Sequence, residues 1–298
     1  MIGGMMTSET AQDSKTPFLI KPRRMNFPFA KVKKKYFFDD NLLKSAYMAA
    51  MSATFPAGEG EFIETVRLFR DQVEDSDLKA QIKGFIGQEG HHSYQHKQFN
   101  VALQKLGFDA VRLEKIFDKD LEHTIKDLSA EERLAFTVCF EHQTAILAEE
   151  FLTNDTLLEG MDETFKSLML WHSVEEIEHK SVAFDLYMQC VGDRALLKKM
   201  QRKAVMIFTL RVHKYMLYLM WWSRSLPSFR DIKGYAKFML GKQGLMQNLK
   251  KPYKDFYRDD FHPWDNQNQG LIDQWKSENY QTEFDLGIKT NQKAAAVA

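Results

Sequence analysis

Two segments of the sequence place a glutamate three residues before a histidine in the middle of an otherwise apolar helical face. The first pair is Glu89 and His92; the second is Glu176 and His179, with His172 one turn earlier. At this spacing a carboxylate and an imidazole project from adjacent turns of one face, so both can reach one metal ion. Because an unpaired carboxylate is very costly to bury, the repeated pattern predicts metal ligands rather than two solvated faces.

Two further helical segments each offer one glutamate on an apolar face. Glu141 lies on such a face between residues 131 and 152, where Glu149 is its competitor. Glu59 precedes an apolar stripe in the first bundle helix, with Glu61 in reserve. The chain order Glu, Glu-x-x-His, Glu, Glu-x-x-His is that of two-metal carboxylate sites in four-helix bundles, where four carboxylates balance two divalent ions.

The predicted ligand set therefore joins four carboxylates and three imidazoles. Its members are Glu59, Glu89, His92, Glu141, His172, Glu176 and His179. His96 is an additional inward imidazole, which either hydrogen-bonds a ligand or displaces one. Glu175 and Glu178 flank the second Glu-x-x-His face, and we expect both to stay in water.

The elements that must position these residues are all helical. Proline and glycine are scarce, at 7 and 15 residues, and no long run alternates apolar and polar residues. Asp40 and Asn41 predict a helix start, and Ser129 with Glu132 predicts a capping box. Pro56 is expected to interrupt or restart the first helix. The predicted divisions are a basic and aromatic leader (1–39), a di-metal helical bundle (40–192) and a C-terminal helical extension and tail (193–298).

The composition excludes some classes of protein. Lys plus Arg and Asp plus Glu number 41 each, so the formal net charge of zero disfavours a nucleic-acid binder. The two cysteines predict reduced core thiols, and the first residues carry no secretory pattern. The apolar stretch 204–222 is interrupted by Arg211, His213 and Lys214, which favours a buried or surface-lying amphipathic helix over a membrane span.

The segments FPAGEGEF, QEGHHSYQH, WHSVEEIEHKSVAFD and DFHPW resemble a bacterial family described as predicted metal-dependent hydrolases. The order of ligands is also similar to that of the ferritin-like non-haem di-iron superfamily. Within it, His172 is similar to the additional histidine of the p-aminobenzoate N-oxygenase branch. The motif-bearing resemblance covers about residues 40–192. It implies a ferritin-like four-helix bundle with additional C-terminal helices.

These patterns lead to three hypotheses about function. The first is an oxygenase or oxidase that uses two iron ions, with manganese or zinc as alternatives, and an external electron donor. The second is a hydrolase that uses a metal-bound hydroxide. The third is a non-enzymatic iron-binding helical protein. With 23 Phe and 15 Met, we expect a hydrophobic or lipid-like small-molecule substrate and a cytoplasmic protein. Peripheral membrane contact and a homodimer stay open.

Overall fold

The fold is an assembly of α-helices, seen in a computed structural model that describes residues 16–287. The prediction of an all-α bundle is confirmed, since the described residues contain one isolated bridge, Phe38 with Met161, and no named strand. The helices are α1 (Leu42–Phe69), α2 (Ser76–Lys105), α3 (Ala110–Ile125), α4 (Ala130–Thr153), α5 (Glu163–His179), α6 (Val182–Cys190), α7 (Arg194–Trp222), α8 (Phe229–Leu240), α9 (Leu245–Asn248), α10 (Lys250–Asp255) and α11 (Gln269–Gly287).

Local capping chemistry sets where the long helices begin. The Asn41 side chain accepts a hydrogen bond from the backbone amide of Lys44 at 3.0 Å and starts α1. Ser129 and Glu132 form the predicted reciprocal capping box at the start of α4. Both starts satisfy amide groups that a helix end leaves unpaired.

The prediction that Pro56 interrupts the first helix is wrong. Helix α1 runs through Pro56 without a break. A proline at this point removes the amide that would bond the carbonyl of Ser52. Here the side-chain amide of Asn100 donates to that carbonyl at 3.4 Å, so α2 replaces the missing partner. Glu59 therefore lies well inside a helix rather than near a helix start.

Four helices form the bundle that carries the predicted ligands. Helix α1 packs along α2, and α4 packs along α5, while α1 also meets α4 and α2 meets α5. Helices α3 and α7 lie against α1, and α7 also covers α4. The four faces that carry the predicted ligands are thus brought around one axis.

The described part of the leader, from residue 16, lies across the bundle at two glycines of α2. A β-carbon at Gly84 would come within 2.5 Å of the Ile20 carbonyl oxygen, and one at Gly87 within 2.4 Å of the Pro22 ring. These glycines allow the leader backbone to approach α2 closely. This close approach places the next residue, Arg23, against α5, where 12% of its side chain is exposed.

The C-terminal segments fold back onto the bundle. His262 and Trp264, from the DFHPW segment, are buried; the His262 ring lies 2.9 Å from a carboxylate oxygen of Asp185. Both cysteines are free thiols; Cys139 is buried as predicted, whereas Cys190 is half-buried rather than in the core. Among the described helices, none is long and apolar enough to cross a membrane. The proposed division at residues 39 and 192 stays a prediction.

Candidate metal centre

The four bundle helices deliver their predicted glutamates to one buried point. Helix α1 supplies Glu59, α2 supplies Glu89, α4 supplies Glu141, and α5 supplies Glu176. All four carboxylates are buried. The three predicted imidazoles, His92, His172 and His179, are buried beside them. The structure therefore brings together all seven residues of the predicted ligand set.

The hydrogen bonds of His179 fix which of its nitrogens faces the carboxylates. Its Nδ1 lies 3.0 Å from Gln88 Oε1, and the Gln88 amide nitrogen donates to Glu178 at 2.7 Å. Gln88 Oε1 is thus an acceptor, and His179 Nδ1 donates to it. The free Nε2 lies 3.0 Å from Glu89 Oε1 and 3.4 Å from Glu141 Oε2.

His92 is held in the same manner from the other side. Its Nε2 donates to Glu175 Oε2 at 3.0 Å, since an ionised carboxylate can accept but not donate. Its Nδ1 lies 3.4 Å from Glu176 Oε1 and 3.9 Å from Glu89 Oε2. The His92 ring stacks on that of His172, with the centroids 4.1 Å apart.

A chain of hydrogen bonds fixes the tautomer of His172. The Asn100 amide nitrogen donates to Glu114, so Asn100 Oδ1 accepts from the Ser52 hydroxyl at 2.9 Å. Ser52 Oγ in turn accepts from His96 Nδ1 at 2.9 Å. His96 Nε2 then accepts from His172 Nδ1 at 2.8 Å. His172 Nε2 is left without a proton, as a metal ligand requires.

The same chain settles the geometric position of His96. Its ring contacts the Nδ1 side of His172 rather than the carboxylates. A group in this place can orient a predicted ligand by a hydrogen bond without binding metal itself. Burial lowers the pKa of His96 well below its usual value. Burial likewise lowers the pKa of His172. Both imidazoles are therefore neutral near pH 7, which agrees with the tautomers derived above.

Three sets of donor atoms lie within 4.8 Å of one another: Glu59, His92 and His172; Glu89, Glu141 and His179; and Glu89, His92 and Glu176. The first two sets, here called the two groups, share no residue, which suits two ions. The third set joins one member of each group to Glu176.

Glu176 lies between the two groups. Its Oε1 is 2.8 Å from His172 Nε2, and its Oε2 is 3.5 Å from His179 Nε2. A carboxylate that faces both groups can bridge two metal ions.

The electrostatics of the buried site fit cations. Several buried polar atoms of the ligand set lack a hydrogen-bond partner: both oxygens of Glu59, Glu89 and Glu141, one oxygen of Glu176, His92 Nδ1 and His179 Nε2. Orphaned buried polar atoms are rare and costly in folded proteins. In addition, the unprotonated His172 Nε2 lies 2.8 Å from Glu176 Oε1, so two lone pairs face each other. A cation between them removes the conflict.

The pKa shifts describe how protons substitute for that positive charge. Burial, reinforced by Glu89, raises the pKa of Glu59 well above its usual value. Burial also raises the pKa of Glu141 well above its usual value. Burial opposes protonation of His92, but its hydrogen bond with Glu175 and the nearby Glu176 carboxylate raise its pKa to about 10. Glu59 and Glu141 therefore favour the protonated form unless a cation lies beside them.

The expectation that Glu175 and Glu178 stay in water is wrong. Their exposed fractions are 0% and 2%. Arg23 compensates both charges, because its Nη1 donates to Glu175 at 3.0 Å and to Glu178 at 2.8 Å, and its Nη2 also bonds Glu178. Lys276 lies 2.8 Å from Glu178 as well. These carboxylates are buried because the leader and α11 neutralise them.

These contacts form a continuous chain that joins the predicted ligands His92 and His179, and we call it the Arg23 network. It runs from His92 to Glu175, Arg23, Glu178, Gln88 and His179. The hydrogen bonds of such outer groups fix the orientation of metal-ligating imidazoles and raise their affinity for metal.

Sequence reasoning missed Arg23, Gln88, Ser52 and Asn100. One signal was present: a neutral ligating histidine needs an acceptor for its second nitrogen. That requirement calls for polar residues close to each ligand, and Gln88 lies one turn before His92 on α2. Arg23 carries no such local signal, since it contacts α5 across more than 150 residues of chain.

The two reserve glutamates lie outside the cluster. Glu61 accepts two hydrogen bonds from Arg133, at 2.7 and 2.8 Å. Glu149 accepts from Asn266 on a different side of α4, facing the C-terminal tail. Neither belongs to the groups of donor atoms that could hold an ion.

A cavity of about 70 Å³ adjoins the cluster. Its lining includes the predicted ligands Glu59, His172 and Glu176, so this side of the cluster is open to it. Its walls are mainly apolar side chains of α1, α3, α4 and α7: Phe55, Phe62, Phe117, Leu121, Ile125, Phe136, Phe140, Ile207, Phe208 and Val212. An apolar organic molecule suits this surface.

The fold and the centre together define a helical-bundle protein with a buried carboxylate and histidine site for metal. The model of a family described as "Predicted metal-dependent hydrolase" matches residues 21–267. The chain therefore belongs to this family. No curated protein and no solved structure matches the chain. The resemblance to ferritin-like di-iron proteins stays a prediction.

Proposed function

We propose that the protein is a metal-dependent hydrolase with a two-ion centre, acting on an ester or amide that has an apolar part. One observation carries the proposal: seven buried donor residues converge on one point at the side of an apolar cavity, and six of them have donor atoms without a hydrogen-bond partner. The family description supports hydrolysis as the reaction type.

The residues that would hold the ions follow from the two groups of donors. Glu59, His92 and His172 would hold one ion, Glu89, Glu141 and His179 would hold the other, and Glu176 would bridge them. Two bound divalent ions at such a centre polarise a carbonyl and make water a stronger nucleophile at neutral pH.

The protein's own residues determine where a substrate can lie. Glu59, His172 and Glu176 are the ligands that line the cavity, so the scissile group would approach the centre from between α1 and α4. Phe62 and Phe140, whose ring centroids are 6.2 Å apart, form part of the wall beside this approach. The apolar wall orients the substrate and limits the number of water molecules near the ions.

The test combines metal analysis with turnover under defined gas. Protein stripped by a chelator and reloaded with manganese, iron or zinc is assayed on p-nitrophenyl esters of graded acyl length. We expect two ions per chain and turnover that depends on metal and survives strict anaerobiosis. Protein that hydrolyses no ester or amide in the presence of any of these metals argues against hydrolysis.

A second candidate function, oxidation of an apolar substrate with dioxygen, is favoured by the donor set. Three imidazoles and four carboxylates suit iron, and an apolar wall protects reactive species from water. This candidate requires an external electron donor. It predicts that the iron-loaded, reduced protein consumes dioxygen, whereas hydrolysis predicts no consumption. Oxygen-electrode traces of the iron-loaded, reduced protein, recorded with and without ester, distinguish oxidation from hydrolysis.

A further inference from the structure

The charge of the chain is unevenly distributed. The segment from Arg194 to Lys251 contains fourteen Lys or Arg residues and a single acidic residue, Asp231, although the whole chain is balanced. The Asp231 carboxylate accepts hydrogen bonds from the amides of Leu42 and Ser228, at 2.9 and 2.8 Å. Its charge is thus engaged in joining α8 to α1. The segment carries an excess of positive charge, although Lys198 pairs with Asp259 and Lys214 with Asp120.

Apolar side chains protrude from the same segment. On α7 the exposed residues Met206, Leu210, Leu217 and Trp221 follow steps of four, seven and four, which places them on one stripe of the helix. Exposed fractions reach 81% at Trp221, 91% at Leu226 and 82% at Phe229. The last two lie at the turn between α7 and α8. We call this set of six side chains the α7–α8 face.

Basic residues flank the protruding side chains. Lys199, Arg202 and Lys214 are exposed on or beside the α7 stripe, and Arg224, Arg230 and Lys233 are exposed around the turn. In the part of the chain that the structure describes, the salt bridges include a partner for Lys214, which is Asp120 at 3.3 Å, and none for the other five. The backbone at Arg224 has φ of 49°, a turn that leads directly into the exposed Leu226.

We propose that the α7–α8 face docks on the surface of a bilayer that contains anionic phospholipid. Exposed Trp, Phe and Leu side chains suit insertion at the boundary of headgroups and acyl chains, and the surrounding Lys and Arg suit anionic headgroups. The charge complementarity selects lipid over a neutral apolar partner.

Docking also indicates where an apolar substrate enters. Ile207, Phe208 and Arg211 line the cavity beside the centre, and they alternate along α7 with Met206 and Leu210 of the α7–α8 face. A molecule dissolved in the bilayer would thus reach the cavity between α3 and α7 with little exposure to water. This second step rests on the proposed function, whereas docking itself does not.

The test is flotation of the full chain with vesicles of phosphatidylcholine, with and without phosphatidylglycerol. We expect flotation with the anionic vesicles and a marked decrease when salt rises from about 0.1 M to about 1 M, which shortens the screening length from about 10 Å to about 3 Å. The triple variant Trp221→Ser, Leu226→Ser, Phe229→Ser should bind the anionic vesicles at least about tenfold more weakly. Equal binding by the variant, or no flotation of the wild type, overturns the proposal.

A matched control removes exposed apolar side chains elsewhere on the surface. The variant Leu68→Ser, Tyr94→Ser, Val101→Ser should float like the wild type, since these side chains lie on α1 and α2. Circular dichroism of both triple variants checks that they are folded. If the control loses binding equally, the assignment to the α7–α8 face is overturned.

Two further measurements separate the outcomes. Trp221 emission should shift to the blue on anionic vesicles, and Trp221→Phe should lose that shift while it still floats. Tight binding of duplex DNA in place of vesicles would identify a different partner and overturn docking on lipid. Turnover of a water-soluble ester reports on the metal centre independently, so its loss leaves docking intact.

Discussion

Replacing Arg23 by methionine tests whether the leader is part of the metal centre. The guanidinium is the cation that bonds both Glu175 and Glu178. Both carboxylates are buried; Glu175 contacts His92, and Glu178 contacts Gln88. The methionine side chain keeps much of the apolar volume and removes the charge. Lys276 still pairs with Glu178 at 2.8 Å. Glu175 keeps its hydrogen bond with His92 but loses the guanidinium that neutralises it.

The expected magnitude follows from the burial of that carboxylate. Removing one partner of a buried ion pair costs about 3–5 kcal/mol of the free energy of unfolding. Because Glu178 keeps Lys276, we expect about 3 kcal/mol for Arg23→Met. The loss of an outer group also lowers metal affinity by about 10- to 100-fold. Urea unfolding with and without metal measures the first effect, and competition with a chelating dye measures the second.

Two additional variants make the experiment decisive. Arg67→Met removes an exposed arginine that pairs with Glu64 at 2.9 Å, and it should cost less than about 1 kcal/mol. Combining Arg23→Met with Glu175→Gln removes both the cation and its buried anion, so it should recover part of the lost stability. Unchanged metal affinity in Arg23→Met would refute the role of the leader in the centre, even if stability falls.

Three other expectations concern the cavity, the ligands and acid. Gly58 lines the 70 Å³ cavity, and a β-carbon there meets no atom within 4 Å. Gly58→Leu should therefore lower the turnover of long-chain esters roughly 100-fold, while the helix gains up to about 1 kcal/mol of stability. Gly60→Leu, which has the same free space but does not line the cavity, should keep turnover. Glu141→Gln should lower bound metal, measured by mass spectrometry, from two ions per chain towards one, and Glu149→Gln should not. Burial acts to raise the pKa of Glu178, but Arg23 and Lys276 lower it below its usual value of 4.5. The ionised Glu178 therefore contributes its full stabilisation above pH 4.5 and loses it as pH falls through the lower, folded-state pKa. Over that range the difference in free energy of unfolding between the wild type and Glu178→Gln, measured in urea, should shrink.

The sequence allowed the helical class and the convergence of the ligand set to be predicted because both depend on local periodicity. Glu89 with His92 and Glu176 with His179 lie on one face by spacing alone. Two outcomes depended on other parts of the chain. The continuity of α1 through Pro56 depends on an amide from Asn100, and the burial of Glu175 depends on Arg23. A single-helix pattern contains neither partner, so it assigned that glutamate to water.

The two ends of the described chain meet at one carboxylate behind the metal centre. Glu178 contacts Arg23 from the leader and Lys276 from the last helix. During synthesis from the N-terminus, Arg23 emerges early, whereas Lys276 emerges after every proposed ligand has been made. Charge compensation at Glu178 therefore becomes complete only after Lys276 has been made, and a polypeptide that stops before residue 276 carries a destabilised centre. Such incomplete chains would release metal and unfold more readily than finished ones, which gives proteases a basis for removing them.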